Sequence, residues 1–432
     1  MGRVRGVAAA LLLPALAITA VANATVARAA APSPFVTAHG TQLYLNGQPW
    51  YFTGYDHYQL ASSQPGFQCG LPMSDAERFA LMAQISHNSG SGAVRAWFFQ
   101  SYQAGDPNNF SQFDAALRAA AAYNVKVIPT LVNQWGDCEP VGYRVADWYV
   151  NGYKTASEYP LSFRDFAARM AAHYRNDTRI AFWQLVNEAE TMDSSSGPCD
   201  PNGAQILRSF GDDMANLMHA TDPNHLVSLG TMGGGQCAAG GGQYQYLYSG
   251  SIDICEVHDY DGPYSEGDPW NGIAVRQQQC RALNKPLFTG EAGMQTTEFS
   301  SLQDRARAFA AKAAFAFNGG EVGFLIWSAN LGPSQGYDVG PGDPTEAVML
   351  AQQRRLDAIY GAAPVGHFVL NSSPPNITYS NSSGFTQRRA VTSPIAWGID
   401  SDSIVGWHVY ARDLADIQYG VSVTSWSQRP LR

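Results

Sequence analysis

Charge is scarce in this 432-residue chain: 15% of residues are charged, and Lys and Arg number 27 against 36 Asp and Glu, for a formal charge of −9. A shortage of cations argues against a phosphate backbone or an anionic bilayer surface as partner, so neither nucleic acid nor a membrane is expected. Past the first 31 residues no apolar run is long enough to cross a bilayer. The six cysteines show no C-x-x-C spacing, and His/Asp pairs at ligand spacing are missing, which argues against a metal centre. No glycine-rich phosphate fingerprint follows the first strand-like run, and no cofactor is expected. What the chain has in surplus is aromatic rings, 12% of residues with 10 Trp and 21 Tyr. Such faces suit a neutral, hydroxylated ligand such as a sugar, and an aromatic-rich core explains them equally well. With 45% hydrophobic residues the chain is ordered and globular, with length for two or three domains or one large barrel.

The amino terminus reads as an address. Arg3 and Arg5 precede an apolar run over 7–21, and small-residue patterns follow at Ala22-Asn23-Ala24, Ala27-Arg28-Ala29 and Ala29-Ala30-Ala31. This predicts a secretory signal peptide over 1–31 and an extracellular chain, an uncleaved anchor being the alternative. Loss of Arg3, Arg5 and Arg28 with the leader would take the charge to −12. In an exported chain Cys69, Cys138, Cys199, Cys237, Cys255 and Cys280 favour disulfides. Fifteen pairings are open, and Cys255 with Cys280 is favoured because a short strand-to-helix return could join them.

Period reading gives an alternation. Short apolar, strand-like runs recur at 50–54, 93–98, 125–132, 180–186, 226–229, 252–257, 286–289 and 322–327. Helical patterns lie between them at 74–87, 112–123, 160–174, 203–220, 270–283, 300–317 and 346–360, with 241–248 the poorest match. Eight strands with intervening helices predict a (β/α)8 TIM barrel over 32–362; a doubly wound open sheet competes. Ahead of the first strand, 42–45 and 48–50 flank Asn46-Gly47, the signal for a β-hairpin that would close the bottom of the barrel. Past Tyr360, linker-like Asn371-Ser372-Ser373-Pro374-Pro375 and strand-like 404–410 and 417–424 predict a short β-rich tail over 363–432 of unknown role. Trp397, Trp407 and Trp426 would form its small core or a binding face.

Barrel enzymes carry their chemistry at the carboxyl ends of the strands. There the sequence places Arg95 after strand two, Asn133 and Trp135 after strand three, and Asn187-Glu188 after strand four. His258 and Tyr260 follow strand six, Glu291 strand seven and Trp327 strand eight. Two glutamates facing each other across a barrel mouth are what a retaining glycosidase needs, one to protonate the leaving oxygen and one to attack the anomeric carbon. For that division of labour Glu291 must be ionised, with Arg95 holding its pKa low, while Glu188 keeps its proton. In order and strand position these residues resemble glycoside hydrolase family five, and VRAWFFQSY, TLVNQW and WQLVNEAE are most similar to its endo-β-mannanases, over about 35–360. The resemblance implies that Glu188 is the acid/base and Glu291 the nucleophile, that Asn187 bonds the sugar 2-hydroxyl, and that Arg95 and Tyr260 orient the nucleophile. It also implies that His258 and Trp135 line the cleft and that Trp327 is the floor under the sugar at the cleavage point. One departure stands out: the family usually has proline after the acid/base, and here Ala189 and then Glu190 follow Glu188.

Each residue has a blander reading. Glu190 could be the acid; Arg95 could belong to a structural ion pair, with the nucleophile still its natural partner; His258 could be a core histidine or a metal ligand; Trp327 could be packing. The expected residue recurring at five independent strand ends favours the site. The function expected is a monomeric endo-acting β-glycosidase on a β-linked polysaccharide, mannan first and β-glucan second. A sugar-binding barrel that no longer cleaves is the competing class, disfavoured because both carboxylates are present. Stacking along an open groove would fall to Trp135 and Trp327, with Trp97 and Trp270 as further candidates.

Overall fold

The computed structural model describes residues 33–361, apart from 63–68, 70–71, 90–91 and 262–269, and five strands beyond them. The expected signal peptide, the linker-like segments and Trp397, Trp407 and Trp426 lie outside the described residues. No helix among the described residues is long and apolar enough to cross a membrane.

Eight parallel strands form the centre: β4 (Phe52–Asp56), β5 (Ala93–Trp97), β6 (Lys126–Thr130), β7 (Phe182–Gln184), β8 (Leu226–Ser228), β9 (Cys255–Asp259), β10 (Leu287–Ala292) and β11 (Gly323–Ile326). The sheet runs β8-β7-β6-β5-β4-β11-β10-β9, and a bridge between Ser228 and Ile254 joins its two edges into a barrel. Each predicted apolar run overlaps one strand, with β4, β9 and β10 running two or three residues past it. Because both faces of these strands are covered, they are apolar runs with no alternation to water.

Period two within each strand sorts the barrel interior into layers. Phe52, Ala93, Ile128, Phe182, Ile254, Phe288 and Leu325 share the apolar lower cluster, with the Phe52, Phe182 and Phe288 rings 5.2–6.3 Å apart. Two to four residues further along the same faces come Asp56, Arg95, Thr130, Gln184, Glu256 and His258, a polar upper layer. The lower end is capped by a ribbon of β1 (Thr37–His39), β2 (Gln42–Leu45) and β3 (Gln48–Pro49), whose Leu43 and Leu45 enter the lower cluster. Asn46 and Gly47 both have positive φ, 53° and 77°, as a tight two-residue hairpin requires. The predicted hairpin is therefore present, with β1 as an added strand.

Helices cover the barrel: α1 (Asp75–Ser89), α2 (Ser111–Ala122), α3 (Ala146–Val150), α4 (Phe163–Tyr174), α5 (Gly203–Thr221), α6 (Gly242–Tyr248), α7 (Ile273–Ala282), α8 (Leu302–Asn318) and α9 (Pro344–Tyr360). Their starts are chemically marked. Ser162, Ser301 and Asp343 each accept a backbone N–H in the first turn, and Pro344 occupies a first-turn position of α9. The short α3 was not expected, because five residues carry too little period to read. The cysteines pair as Cys69–Cys138, Cys199–Cys237 and Cys255–Cys280, with Cα separations of 5.0, 5.2 and 6.3 Å; the last joins β9 to α7, as expected.

Beyond the barrel, β12 (Asn376–Ser380), β13 (Thr386–Ala390) and β16 (Gly420–Val423) form one antiparallel sheet, and β14 (Gly398–Asp400) with β15 (His408–Tyr410) another.

Candidate active site

All nine residues singled out in the sequence stand at the carboxyl end of the barrel. Arg95 lies within β5, His258 within β9 and Glu291 within β10; Tyr260 and Trp327 directly follow β9 and β11. Asn133 and Asn187 are paired by a parallel bridge just past β6 and β7.

Two local irregularities aim the glutamates. In β10, Thr289 pairs with Val257 and Glu291 with His258, so Gly290 is an extra residue, a bulge. Phe288 faces the barrel interior, so regular alternation would turn Glu291 outward; the bulge reverses the parity and points it into the mouth. A Cβ on residue 290 would lie 2.1 Å from Glu256 Oε1, so any larger residue there would displace that buried carboxylate. Glu188 adopts a left-handed φ of 60°, uncommon for a residue with a side chain. The Gln236 side chain holds its carbonyl at 3.2 Å, and the Ala189 N–H donates to the Gly230 carbonyl at 3.1 Å.

Arg95, fully buried, organises the floor. Its Nη1 donates to Glu291 Oε1 at 2.6 Å and Asp56 Oδ1 at 2.8 Å, Nη2 to Asn187 Oδ1 at 2.6 Å, and Nε to Gln184 Oε1 at 2.8 Å. Tyr260 donates to the other oxygen of Glu291 at 2.6 Å. On Glu188, Trp135 Nε1 donates to Oε2 at 2.5 Å and His258 Nδ1 to Oε1 at 2.8 Å. His258 Nε2 faces Glu256 Oε1 at 3.3 Å, and Asn187 donates to Asn133 at 3.0 Å. Trp327 lies flat against Tyr58, ring centroids 5.4 Å apart and 8° from parallel. Trp135 is 40% exposed and Trp270 74%, whereas Trp97 is buried beneath the site. Trp97 stacks on Phe99 and under the Arg95 guanidinium, so it supports the site and offers no open face.

The electrostatics differ from the simplest expectation. Burial raises Glu291 above the ordinary carboxylate range, with His258 and Arg95 pulling against it. Burial also acts on Glu188, but hydrogen bonds from His258 and Trp135 outweigh it and leave that carboxyl below the usual value. Burial alone would lower His258; Glu291, Glu188 and Glu256 instead raise it to about 10, so it is an imidazolium at neutral pH. The proton expected on Glu188 therefore rests one hydrogen bond away. Asp56 is pushed well up by burial, and its Oδ2 is buried without a hydrogen-bond partner.

Glu188, His258 and Glu291 offer three donor atoms within 4.8 Å of one another, a composition that could hold a cation. All four carboxylate oxygens, however, already accept protein N–H or O–H groups, and Arg95 and His258 supply the compensating charge. Sequence reading missed Asp56, because the first strand runs two residues past the apolar stretch that marked it, and Gln184 and Glu256, which looked like ordinary strand residues. Counting every second position inward would have found all three. Glu190, the alternative acid, is buried with Tyr143 donating to it at 2.6 Å.

The Cellulase family model, glycosyl hydrolase family 5, matches residues 62–331. Among curated proteins the chain is similar to mannan endo-1,4-beta-mannosidase A of Hypocrea jecorina, 26% identical over 303 residues, covering 61% of this chain and 64% of that protein. It is also similar to mannan endo-1,4-beta-mannosidase F of Aspergillus fumigatus, 23% identical over 314 residues, covering 62% and 66%. The chain thus spans just under two thirds of either relative. Among solved structures, an endo-1,4-beta-mannanase from Rhizomucor miehei shares the fold with a TM-score of 0.59 at 19% identity, covering 75% of this chain and 99% of that one.

Proposed function

Because the chain belongs to glycosyl hydrolase family 5, we propose that it is a secreted endo-β-1,4-mannanase working by double displacement, with Glu188 as general acid/base and Glu291 as nucleophile. The observation that carries this reading is the carboxylate pair, which has an oxygen of each within 4.8 Å across the mouth. Such closeness suits direct attack, whereas an inverting pair stands roughly 6.5–9.5 Å apart to admit a water.

In this reading Glu291, aimed by Arg95 and Tyr260, attacks the anomeric carbon while Glu188 protonates the departing oxygen. The glycosyl-enzyme then yields to water, whose proton Glu188 takes back. His258, 2.8 Å from Glu188, lends the proton that Glu188 donates as an acid and recovers the one that Glu188 takes from water. Asn187 and Asn133 suit sugar hydroxyls, Trp327 the floor, and half-open Trp135 a stacking face. The four carboxylate contacts leave the reaction no need of a metal, and chelation is expected to leave turnover unchanged. Mannan is the preferred substrate because the similar curated proteins carry that activity in their names; β-glucan is second because the matching family model is described as Cellulase.

The test is reducing-sugar release and viscosity loss on purified mannan, β-glucan and other β-linked polysaccharides, with early-time NMR of the product anomer. The expected result is fast viscosity loss on mannan, a retained anomer, and no turnover by Glu188→Ala or Glu291→Ala on unactivated substrate. Inversion would refute the double displacement, and β-glucan cleavage without mannan cleavage would refute the substrate.

A further inference from the structure

We infer that Glu190 is a positioning residue that acts through Tyr143 and Trp135 to hold the Glu188 carboxylate in line; the inference rests on the glycosidase reading above. Glu190 is buried, and both its oxygens are taken: Tyr143 Oη donates to Oε1 at 2.6 Å, and the Cys237 N–H donates to Oε2 at 3.4 Å. It is therefore committed to the loops after β6 and β8, not to the mouth.

Tyr143 meets the Trp135 indole edge-on, with ring centroids 5.5 Å apart and planes at 63°. Trp135 in turn donates Nε1–H to Glu188 Oε2 at 2.5 Å. These contacts close a ring from Glu188 through Ala189 and Glu190 to the Tyr143 phenol, across to Trp135 and back to Glu188. An indole 40% exposed is only partly held by packing, and an N–H that must keep its aim needs a fixed neighbour. Tyr143 is that neighbour, and Glu190 fixes its far end. Since residues 188–190 are consecutive, any shift of the segment carries the carboxylate and the anchor together, and the indole follows. Ala189 brings only a methyl group to this arrangement, so the polar tie falls to Glu190.

General-acid assistance matters only when the leaving group is poor, and that separates positioning of Glu188 from general support of the fold. The chain that hydrolyses its polysaccharide is compared with Tyr143→Phe, Glu190→Ala and Glu190→Gln. Two substrates are used: an unactivated oligosaccharide, and a glycoside of equal length with a dinitrophenyl leaving group. Tyr143→Phe and Glu190→Ala are expected to lower kcat/KM on the oligosaccharide by roughly 10- to 100-fold, the scale of a small misplacement of a reacting group, and to change the activated glycoside little. Glu190→Gln, which keeps an acceptor for the phenol, is expected to recover most of what Glu190→Ala loses. Equal losses on both substrates, or no loss on either, would overturn the inference while leaving the glycosidase reading standing. A wild-type chain inactive on every β-linked polysaccharide would overturn that reading and this inference with it.

Discussion

His258 carries a proton that the chemistry needs on its neighbour. The imidazolium stands between three carboxylates, which raise it to about 10 in spite of burial, and its Nδ1 is 2.8 Å from Glu188. The site titrates as a cluster, so its working window is bounded by the loss of the shared proton at high pH and by protonation of Glu291 at low pH. Glu291 is raised by burial, so the acid limb is expected above the ordinary glutamate range. The alkaline limb is expected between neutrality and about 10. His258→Asn removes the reservoir, and Trp135, Arg95, Tyr260 and Glu291 remain as the groups around Glu188. The alkaline limb of kcat/KM should then fall by about one unit or more, as expected when a group of such displaced pKa is lost; an unmoved limb would remove His258 from the proton path. At this scale the sequence was informative wherever a polar residue stood in or just past an apolar run, as at Arg95, Glu188 and Glu291. It passed over Asp56, which lies past the end of its apolar run, and was silent on the tie between Glu190 and Tyr143, because contacts between loops leave no local pattern.

The elements explain why those residues converge. All eight strands were legible as apolar runs, since a strand covered on both faces is apolar over most of its length, but the Gly290 bulge was not, because a glycine in a strand does not announce a change of parity. A second device lies behind β9. Lys312, near the middle of α8, is fully buried and bonds both Asp259 and the Asp261 carbonyl, the latter at 2.8 Å. Asp259 sits between His258 and Tyr260, and its carbonyl accepts the Gly293 N–H at 3.0 Å. The pair thus pins the strand end that presents both site residues. Lys312→Met would take the ammonium away from a buried carboxylate, at a cost of up to about 3–5 kcal/mol seen as a lower Tm, together with reduced kcat. Adding Asp259→Leu should restore most of the Tm but not kcat. Recovery of both would show the pair to be packing alone, without a positioning role.

Across the whole molecule, polarity is graded along the barrel axis: the lower layers are phenylalanine and aliphatic, and the upper layers hold Arg95, Gln184, Glu256 and His258. A carboxyl buried away from the mouth sets the pH response of the fold. Glu321, directly ahead of Val322 and β11, accepts from Gln277 at 2.9 Å and Thr289 at 2.7 Å, with no cation among these partners. Burial raises it from 4.5 to about 7, against the pull of those two hydrogen bonds. A carboxyl raised on folding favours the protonated native state. Its contribution to stability is complete below the unfolded value, declines between pH 4.5 and 7, and is gone above that range. The size follows from the shift, about 3 kcal/mol at one pKa unit per 1.36 kcal/mol. Glu321→Gln keeps the shape and an acceptor without the charge, and the Gln277 amide can turn to bond the new N–H group. The substitution should therefore leave Tm nearly unchanged at pH 5 and raise it at pH 8, so that the pH dependence of unfolding flattens on the alkaline side. Calorimetry at the two pH values decides it: a gain at pH 5 equal to that at pH 8 would mean that the benefit is packing, and that Glu321 does not carry its charge into the folded interior.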